Sequence, residues 1–131
     1  MDHGINFKQK IATLNLPKDS YIVVGSGILG ALGIRESNDI DLVVIDDVYR
    51  MMSELGWEEG RWGDKVVYQQ GVFDIGKDWY GQTTSDLLKN AQYVDDIPYL
   101  SLNDVYDWKK QRGQEKDIRD IELIDAYRHE Q

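Results

Sequence analysis

A glycine-rich loop lies between a predicted strand and a predicted helix, and it restricts the possible folds more than any other feature. The apolar residues 21–24 predict a buried strand, and residues 28–32 have the apolar spacing of a short helix. Between them, Gly25, Gly27 and Gly30 match the pattern G-x-G-x-x-G. Backbone N–H groups at such a helix start can bind an anion. The sequence therefore predicts an α/β protein with an anion-binding turn.

The rest of the chain also alternates between strand and helix patterns, so we expect a small mixed sheet, part of it antiparallel, with flanking helices. We expect one domain over residues 1–131. Further strands are predicted at 40–45, 66–68, 72–75 and 97–100, and helices at 7–14, 48–55, 85–91, 101–111 and 118–127. The inner face of the last helix is expected to consist of Ile118, Ile121, Ile124 and Tyr127.

Composition excludes several classes of protein and site. The chain has no cysteine, which excludes disulfides, thiolate metal sites and cysteine nucleophiles. His3 and His129 lie near the two ends, so no histidine-rich metal site is expected. No apolar stretch approaches the roughly 20 residues of a membrane helix, and residues 1–10 lack the apolar run of a signal peptide. We therefore expect a cytoplasmic protein without a membrane partner.

Charge gives a weaker indication about partners. The net charge of −9 disfavours nonspecific binding to a phosphate backbone, although it leaves a specific nucleic-acid partner open. Five of the basic residues nevertheless lie close together in the stretch 109–119. Clustered carboxylates, for their part, are the ligands that a hard cation such as Mg²⁺ prefers.

One interpretation of the glycine-rich loop is a dinucleotide-binding site. Asp46 follows about twenty residues later, at the end of the next predicted strand, as that fingerprint requires. Three observations weaken it. The helix after the loop stops near Gly33, the chain is short for two mononucleotide-binding halves, and Asp39, Asp41 and Asp74 are left without a role. If the loop does not bind a dinucleotide, Gly27 and Gly30 would serve only close packing of the helix on the strand.

A second interpretation uses the three carboxylates. Side chains alternate along a strand, so Asp39 and Asp41 point the same way, about 6–7 Å apart. Aspartate is disfavoured in strands, and two on one face indicate a function. If the strand that carries Asp74 is a neighbour, the three side chains converge and would hold one or two Mg²⁺ or Mn²⁺ ions. The alternatives are a solvent-facing strand start for Asp39 and Asp41, and an exposed edge for Asp74.

The order of these motifs resembles the DNA polymerase β-like nucleotidyltransferase superfamily. That signature is a Gly-Gly or Gly-Ser pair, about a dozen residues, Asp-x-Asp and a later carboxylate; Gly25-Ser26, Asp39-Ile40-Asp41 and Asp74 match it in this order. The stretch 100–123, which includes Lys109, is similar to the tail of small bacterial members related to abortive-infection nucleotidyltransferases. The resemblance spans about residues 21–123.

The resemblance implies a reaction and a set of roles. An NTP substrate would lose pyrophosphate as its NMP is transferred to a hydroxyl or similar acceptor, whose identity stays open. Asp39, Asp41 and Asp74 would bind the metal, and Asp74 would also accept the proton of the acceptor hydroxyl. Gly25 and Ser26 would hold the triphosphate, and Lys109 would approach the phosphates. The alternatives are a catalytically silent binding or antitoxin-like module and, third, a small dinucleotide-binding protein.

Several neighbouring side chains have ordinary structural alternatives. Ser26 also suits a helix N-cap. Arg35 is expected to be an exposed arginine in a turn, with a phosphate contact as the alternative. Lys110 and Arg112 are expected on a solvated helix face, and Asp117 suits an N-cap as well as a site role.

The small size of the chain bears on its partners. Larger relatives close the active-site cleft with a helical domain that this sequence lacks, so we expect a homodimer in which each subunit covers the other's cleft. The alternative cover is another protein or an RNA on the basic stretch 109–119. Trp79 and Tyr80 follow the predicted strand of Asp74, where one of them could stack on a base.

Overall fold

A computed structural model describes residues 5–130, which form a seven-stranded sheet and six helices. The strands are β1 (Tyr21–Val24), β2 (Ile40–Val44), β3 (Glu58–Trp62), β4 (Lys65–Gln70), β5 (Phe73–Gly76), β6 (Gln92–Val94) and β7 (Ile97–Tyr99). The helices are α1 (Phe7–Ala12), α2 (Gly27–Ala31), α3 (Asp46–Glu54), α4 (Thr84–Leu88), α5 (Leu102–Arg112) and α6 (Glu115–His129). His3 and residues 1–4 of the segment tested for a signal peptide lie outside the described residues.

The sheet is mixed, as the sequence predicts. Its strand order is β3-β4-β5-β2-β1-β7-β6. β2 pairs parallel to β5 and antiparallel to β1, and β1 pairs parallel to β7. A doubly wound dinucleotide-binding sheet requires parallel strands around the glycine-rich loop, whereas the strands on both sides of this loop are antiparallel. Asp46 opens α3 in an exposed position. The dinucleotide-binding interpretation is therefore wrong.

The core lies around β1 and β2 at the centre of the sheet. Ile22, Ile40, Leu42 and Val43 are fully buried there. Each helix contributes at least one buried apolar side chain: Phe7 and Ile11, Ile28 and Leu29, Val48 and Met52, Leu87, Leu102 and Val105, and Ile124. This packing explains why a strand that carries aspartate at its start still forms. The apolar residues that follow Asp41 fix the strand, and the strand fixes the carboxylate.

Two strands were not predicted from the sequence, and both lie at the edges of the sheet. β3 is strongly polar, with two glutamates, a glycine and an arginine, so its pattern gives no strand signal. It forms because every one of its residues pairs with β4. A Cβ at Gly60 would meet only the side-chain amide of Gln69, the flexible end of that side chain, which can move aside. β6 has three residues and pairs with β7.

Turns and helix caps follow from particular residues at the ends of the elements. Gly71 has a φ of +59° and joins β4 to β5, as the Gln70-Gly71 pair indicates. Thr83 and Asp86 form a capping box at α4, and the Ser101 hydroxyl accepts a hydrogen bond from the Asp104 N–H at α5. Gly113, at φ +64°, ends α5.

The predicted inner face of the last helix is confirmed at Ile124 and Tyr127, which lie in or against the core, and is wrong at Ile118. In α6 the buried residues are Asp117, Asp120 and Ile124, whereas Ile118 is 53% exposed. The spacing of these buried residues is helical, but two of them are carboxylates. The helix turns them inward because cations from other elements pair with them, as described below. Within residues 5–130, no helix is both long and apolar enough to span a membrane.

Candidate active site

The register of the sheet brings together the carboxylates that the sequence indicates. Asp41 on β2 is directly opposite Asp74 on β5, and Asp39 precedes β2 by one residue. On its other side Asp41 is opposite Val24, the last residue of β1. Because β1 and β2 run antiparallel, the loop that starts at Gly25 emerges at the same end of the sheet. The carboxylates and the glycine-rich loop therefore share one edge.

Asp41 is the most perturbed of the three carboxylates. Burial, then the negative charges of Asp74 and Asp39 and a hydrogen bond to Asp74, together raise its pKa from 3.8 to about 7. Asp74 therefore points toward Asp41. This disagrees with a silent module in which Asp74 turns away, since the carboxylates are close enough to share a proton.

The donor set suits a hard divalent cation, because oxygen ligands with unrelieved negative charge are what such an ion binds. Asp39 is exposed and Asp41 and Asp74 are partly buried. Within the described residues, no three metal-ligating side chains are gathered into a ready ligand set. A bound ion would have to draw Asp39 toward the Asp41–Asp74 pair.

The glycines of the loop have separate and local roles. Gly25 has a φ of +65°, and a Cβ there would lie 3.0 Å from Oδ2 of Asp41, so glycine is needed for both the turn and the space. At Gly27 a Cβ would clash with Val23, and at Gly30 it would lie 2.5 Å from the Ser37 hydroxyl. Close packing of the helix on the strand is therefore confirmed for Gly27, whereas Gly30 packs against Ser37 and Phe7, which lie outside the strands.

Ser26 occupies the N-cap position of α2, although its side chain makes no capping hydrogen bond to any described residue. The N-cap position predicted for Ser26 is therefore confirmed, and its hydroxyl is not used for capping. Ser26 instead lines a cavity together with Gly25, Asp39 and Asp41. Its hydroxyl is thus placed beside the carboxylates rather than committed to the helix.

This cavity has a volume of about 600 Å³, within the usual range for sites that bind small molecules. Asp74 lies beside Asp41 rather than on the cavity wall. Four basic side chains line the cavity: Arg35, Lys65, Arg112 and Lys116. Four aromatic side chains also line it: Trp62, Trp79, Tyr80 and Trp108. The cavity therefore combines an acidic edge, a basic side and an aromatic side.

Lys109, which the family resemblance placed near the phosphates, lies inside the protein. It is 1% exposed and does not line the cavity. Its Nζ is 2.8 Å from Oδ2 of Asp120 and 3.4 Å from Oδ1 of Asp117. The cost of burying an ammonium group in the protein interior is offset only by such ion pairs. The two ion pairs hold Lys109 away from the cavity wall, and its predicted contact with phosphate stays a prediction.

Two arginines, unlike Lys109, line the cavity. Arg35 donates from Nε and Nη2 to both carboxylate oxygens of Asp120, at 2.7 and 3.0 Å. Arg112 donates in the same way to Asp117, at 2.8 and 2.6 Å. Both are partly buried and line the cavity, so the expected exposed turn for Arg35 and solvated face for Arg112 are wrong. Lys110 is exposed, as expected.

Asp117 and Asp120 stay ionised through these contacts. Hydrogen bonds from Arg112 hold the pKa of Asp117 at about 2, against the effect of burial. Burial opposes ionisation of Asp120 too, but hydrogen bonds from Arg35 and Lys109 bring its pKa below the ordinary value. Asp117 is not the N-cap of α6, which is Gln114, but it completes a capping box with that residue. No sequence signal links Arg35 to Asp120, because they are 85 positions apart.

The aromatic side of the cavity forms a single cluster. Trp79 makes edge-to-face contacts with Trp62, Tyr80 and Trp108, at centroid distances of 5.8, 5.0 and 5.2 Å. The Trp108 indole N–H donates to the Tyr80 hydroxyl at 3.0 Å. Tyr80 is 70% exposed and has a φ of +51°. The sequence indicated Trp79 and Tyr80 but not Trp62, which lies in an unpredicted strand, or Trp108.

The fold has a counterpart among solved structures. No family profile and no curated protein matches the sequence. The crystal structure of a "putative nucleotidyltransferase" from Thermotoga maritima is similar to this chain, with a TM-score of 0.57 and 19% sequence identity, over 98% of each chain. At this identity the similarity concerns the fold. The mixed sheet with its flanking helices is therefore a nucleotidyltransferase-like fold, as the sequence predicts.

Proposed function

We propose that this protein is a metal-dependent nucleotidyltransferase that transfers an NMP from an NTP to an acceptor, and that it is related to the small abortive-infection type. The observation that carries the proposal is the pairing of Asp41 with Asp74 beside the Gly25-Ser26 turn. This pairing places carboxylates where a cation is needed, at the edge of a cavity whose other side is basic.

Asp39, Asp41 and Asp74 would hold one or two Mg²⁺ or Mn²⁺ ions. The ion supplies neutralisation of the triphosphate and a lower pKa for the acceptor hydroxyl. The raised pKa of Asp41 supports this assignment, since a carboxylate crowded by like charges gains most from a cation. The need to draw in Asp39 is consistent with a site that is completed when nucleotide and metal arrive together.

The remaining cavity residues would position the substrate. Gly25 leaves room for close approach to the triphosphate, and the Ser26 hydroxyl would donate to a phosphate oxygen. Arg35, Arg112 and Lys116 would bind the outer phosphates. Asp74 would accept the proton of the acceptor hydroxyl. The acceptor oxygen would attack the α-phosphorus, and pyrophosphate would leave. Catalysis of this kind depends mainly on positioning and charge.

Tyr80 and the tryptophans around it would bind the base. Base–aromatic stacking contributes about 1–3 kcal/mol per base in single-stranded nucleic-acid complexes and tolerates any base. Tyr80 is the most exposed aromatic side chain of the cluster, and Trp108 holds its hydroxyl. We expect Tyr80→Ala to weaken NTP binding but not binding of inorganic tripolyphosphate, whereas Tyr80→Phe keeps most of the NTP affinity.

A calorimetric titration of each of the four NTPs in the presence of Mg²⁺ tests the proposal. We expect binding by the wild-type protein and its loss in Asp39→Asn and in Asp41→Asn, with the fold retained. Asp47→Asn is the matched control, because Asp47 lies on α3 with its side chain 83% exposed and does not line the cavity. Unchanged metal-dependent affinity in both site variants would rule out the carboxylate site.

A catalytically silent nucleotide-binding or antitoxin-like module is the second candidate. It is favoured by the lack of a ready three-ligand set among residues 5–130. The two candidates differ in the release of labelled pyrophosphate during incubation with NTP, Mg²⁺ and cell extract as the source of acceptor. Nucleotide binding without pyrophosphate release above the level of the Asp41→Asn variant supports the silent module.

A further inference from the structure

Three charged side chains are buried between α5 and α6, and we call them the buried ion cluster: Lys109, Asp117 and Asp120. Their exposed fractions are 1%, 0% and 5%. Burial of a charge costs several kcal/mol unless it is well paired, and apolar residues of similar volume often stabilise a protein equally well. The cluster therefore requires an explanation other than the packing of two helices.

Each carboxylate of the cluster holds one arginine of the cavity wall. Asp120 binds Arg35 and Asp117 binds Arg112, in both cases through two hydrogen bonds. A bidentate pair fixes the plane of the guanidinium group as well as its distance. Arg112 is fixed further by the Trp108 ring, whose centroid is 4.2 Å from its Cζ, and Arg35 donates to the backbone carbonyl of Glu36.

Lys109 keeps these pairs from cancelling the positive charge of the wall. Two carboxylates alone would neutralise the two arginines. Lys109 contributes a third cation to the same carboxylates, and Lys116 lines the cavity nearby. Four cations therefore stand against two carboxylates, so the basic side of the cavity retains an excess of positive charge.

We propose that Lys109, Asp117 and Asp120 are positioning residues that hold Arg35 and Arg112 as a preformed binding site for a polyphosphate chain. The identity of the ligand as an NTP rests on the proposed function. In that case the polyphosphate consists of the β- and γ-phosphates of the NTP. The site itself requires only a polyphosphate anion. Preformed donors bind such an anion without the entropy cost of ordering two long side chains.

The test is a calorimetric double-mutant cycle with inorganic tripolyphosphate as the probe, without metal. We expect Arg35→Ala and Asp120→Asn each to weaken binding by about tenfold, which corresponds to about 1.4 kcal/mol. Because Asp120 acts through Arg35, the double variant should bind no more weakly than Arg35→Ala alone. A merely structural Asp120 would give additive losses, and additive losses would overturn the proposal.

Two further variants guard against misfolding. Asp125→Asn is the matched control, since Asp125 also joins α6 to α5, through the Tyr106 hydroxyl, but lies away from the cavity. It should leave tripolyphosphate affinity unchanged. Arg35→Lys, at a partly exposed position, keeps the charge and removes the bidentate geometry. It should lose affinity even if Asp120→Asn fails to fold, and wild-type affinity in Arg35→Lys would overturn the proposal.

The two proposals can fail separately. A wild-type protein that binds no tripolyphosphate contradicts the preformed anion site. A protein that binds tripolyphosphate with the expected coupling, but shows no metal-dependent NTP binding, supports the anion site and contradicts the proposed nucleotidyl transfer.

Discussion

At the scale of single residues, Asp41 shows how crowding of carboxylates can cost stability. Its pKa is about 7 in the folded protein against an ordinary value of 3.8, so the folded state binds this proton more tightly than the unfolded state. Each pKa unit corresponds to about 1.4 kcal/mol. The contribution of Asp41 to stability is therefore complete below about pH 4 and is lost as the pH rises through about 7, by about 4 kcal/mol at most.

We expect the metal-free protein to melt at a lower temperature at pH 8 than at pH 5.5, and this slope to become smaller in Asp41→Asn. Added Mg²⁺ should raise the melting temperature more at pH 8, because protons and the ion compete for the same carboxylates. Thermal denaturation with and without Mg²⁺ at both pH values measures this. An equal effect of Mg²⁺ at the two pH values would contradict a metal site at Asp41.

Substitution of Asp74 should separate NTP binding from nucleotidyl transfer. Asp39 and Asp41 can still hold a metal–triphosphate complex after Asp74→Ala, whereas the group that prepares the acceptor is lost. We expect this variant to retain part of its NTP affinity by calorimetry and to lose pyrophosphate release. Turnover close to that of the wild-type protein would remove Asp74 from the mechanism.

At the scale of helices and strands, the sequence predicted the centre of the fold better than its edges. β2 was predicted because apolar residues follow Asp41, and the site followed from the two-residue alternation of a strand. β3 could not be predicted, since its polar residues are held by pairing with β4. Burial of Asp117 in α6 was not predicted, because it depends on Lys109 and Arg112, which no periodicity within the helix reveals.

Lys109 gives a prediction at this scale. Removal of one partner from a buried ion pair costs about 3–5 kcal/mol, because the remaining charges lose their compensation. We expect Lys109→Met to lower the free energy of unfolding by an amount of this order. Lys110→Met, at the exposed neighbouring position, should change it by about 0.5 kcal/mol or less. Urea denaturation of both variants measures the difference, and equal stabilities would show that Lys109 is not held in the cluster.

At the scale of the whole molecule, the partner surface is still open to test. Several large apolar side chains are exposed, among them Leu55 at 66%, Tyr93 at 58% and Ile118 at 53%. Three cations of the basic stretch 109–119, Lys109, Arg112 and Arg119, are engaged in ion pairs within the protein. The alternative of an RNA docked on this stretch is therefore weaker than the sequence indicated, and a second copy of the chain is the better candidate.

We expect static light scattering at micromolar concentration to give about twice the chain mass of 15.2 kDa. A C₂ dimer is the commonest closed assembly, and it would cover the open side of the cavity. A mass near that of a single chain would contradict the homodimer and leave a different protein as the cover.

The walls of the cavity come from distant parts of the chain, and this bears on its synthesis. The residues of the acidic edge and Arg35 are synthesised early. Asp120, the ion-pair partner of Arg35, is synthesised 85 positions later. During translation a nascent chain that already contains β1, β2 and β5 would carry crowded carboxylates without the basic wall opposite. If the anion site is preformed as proposed, the protein becomes able to hold a polyphosphate only after α6 has left the ribosome and docked, so nascent chains would not sequester nucleotide.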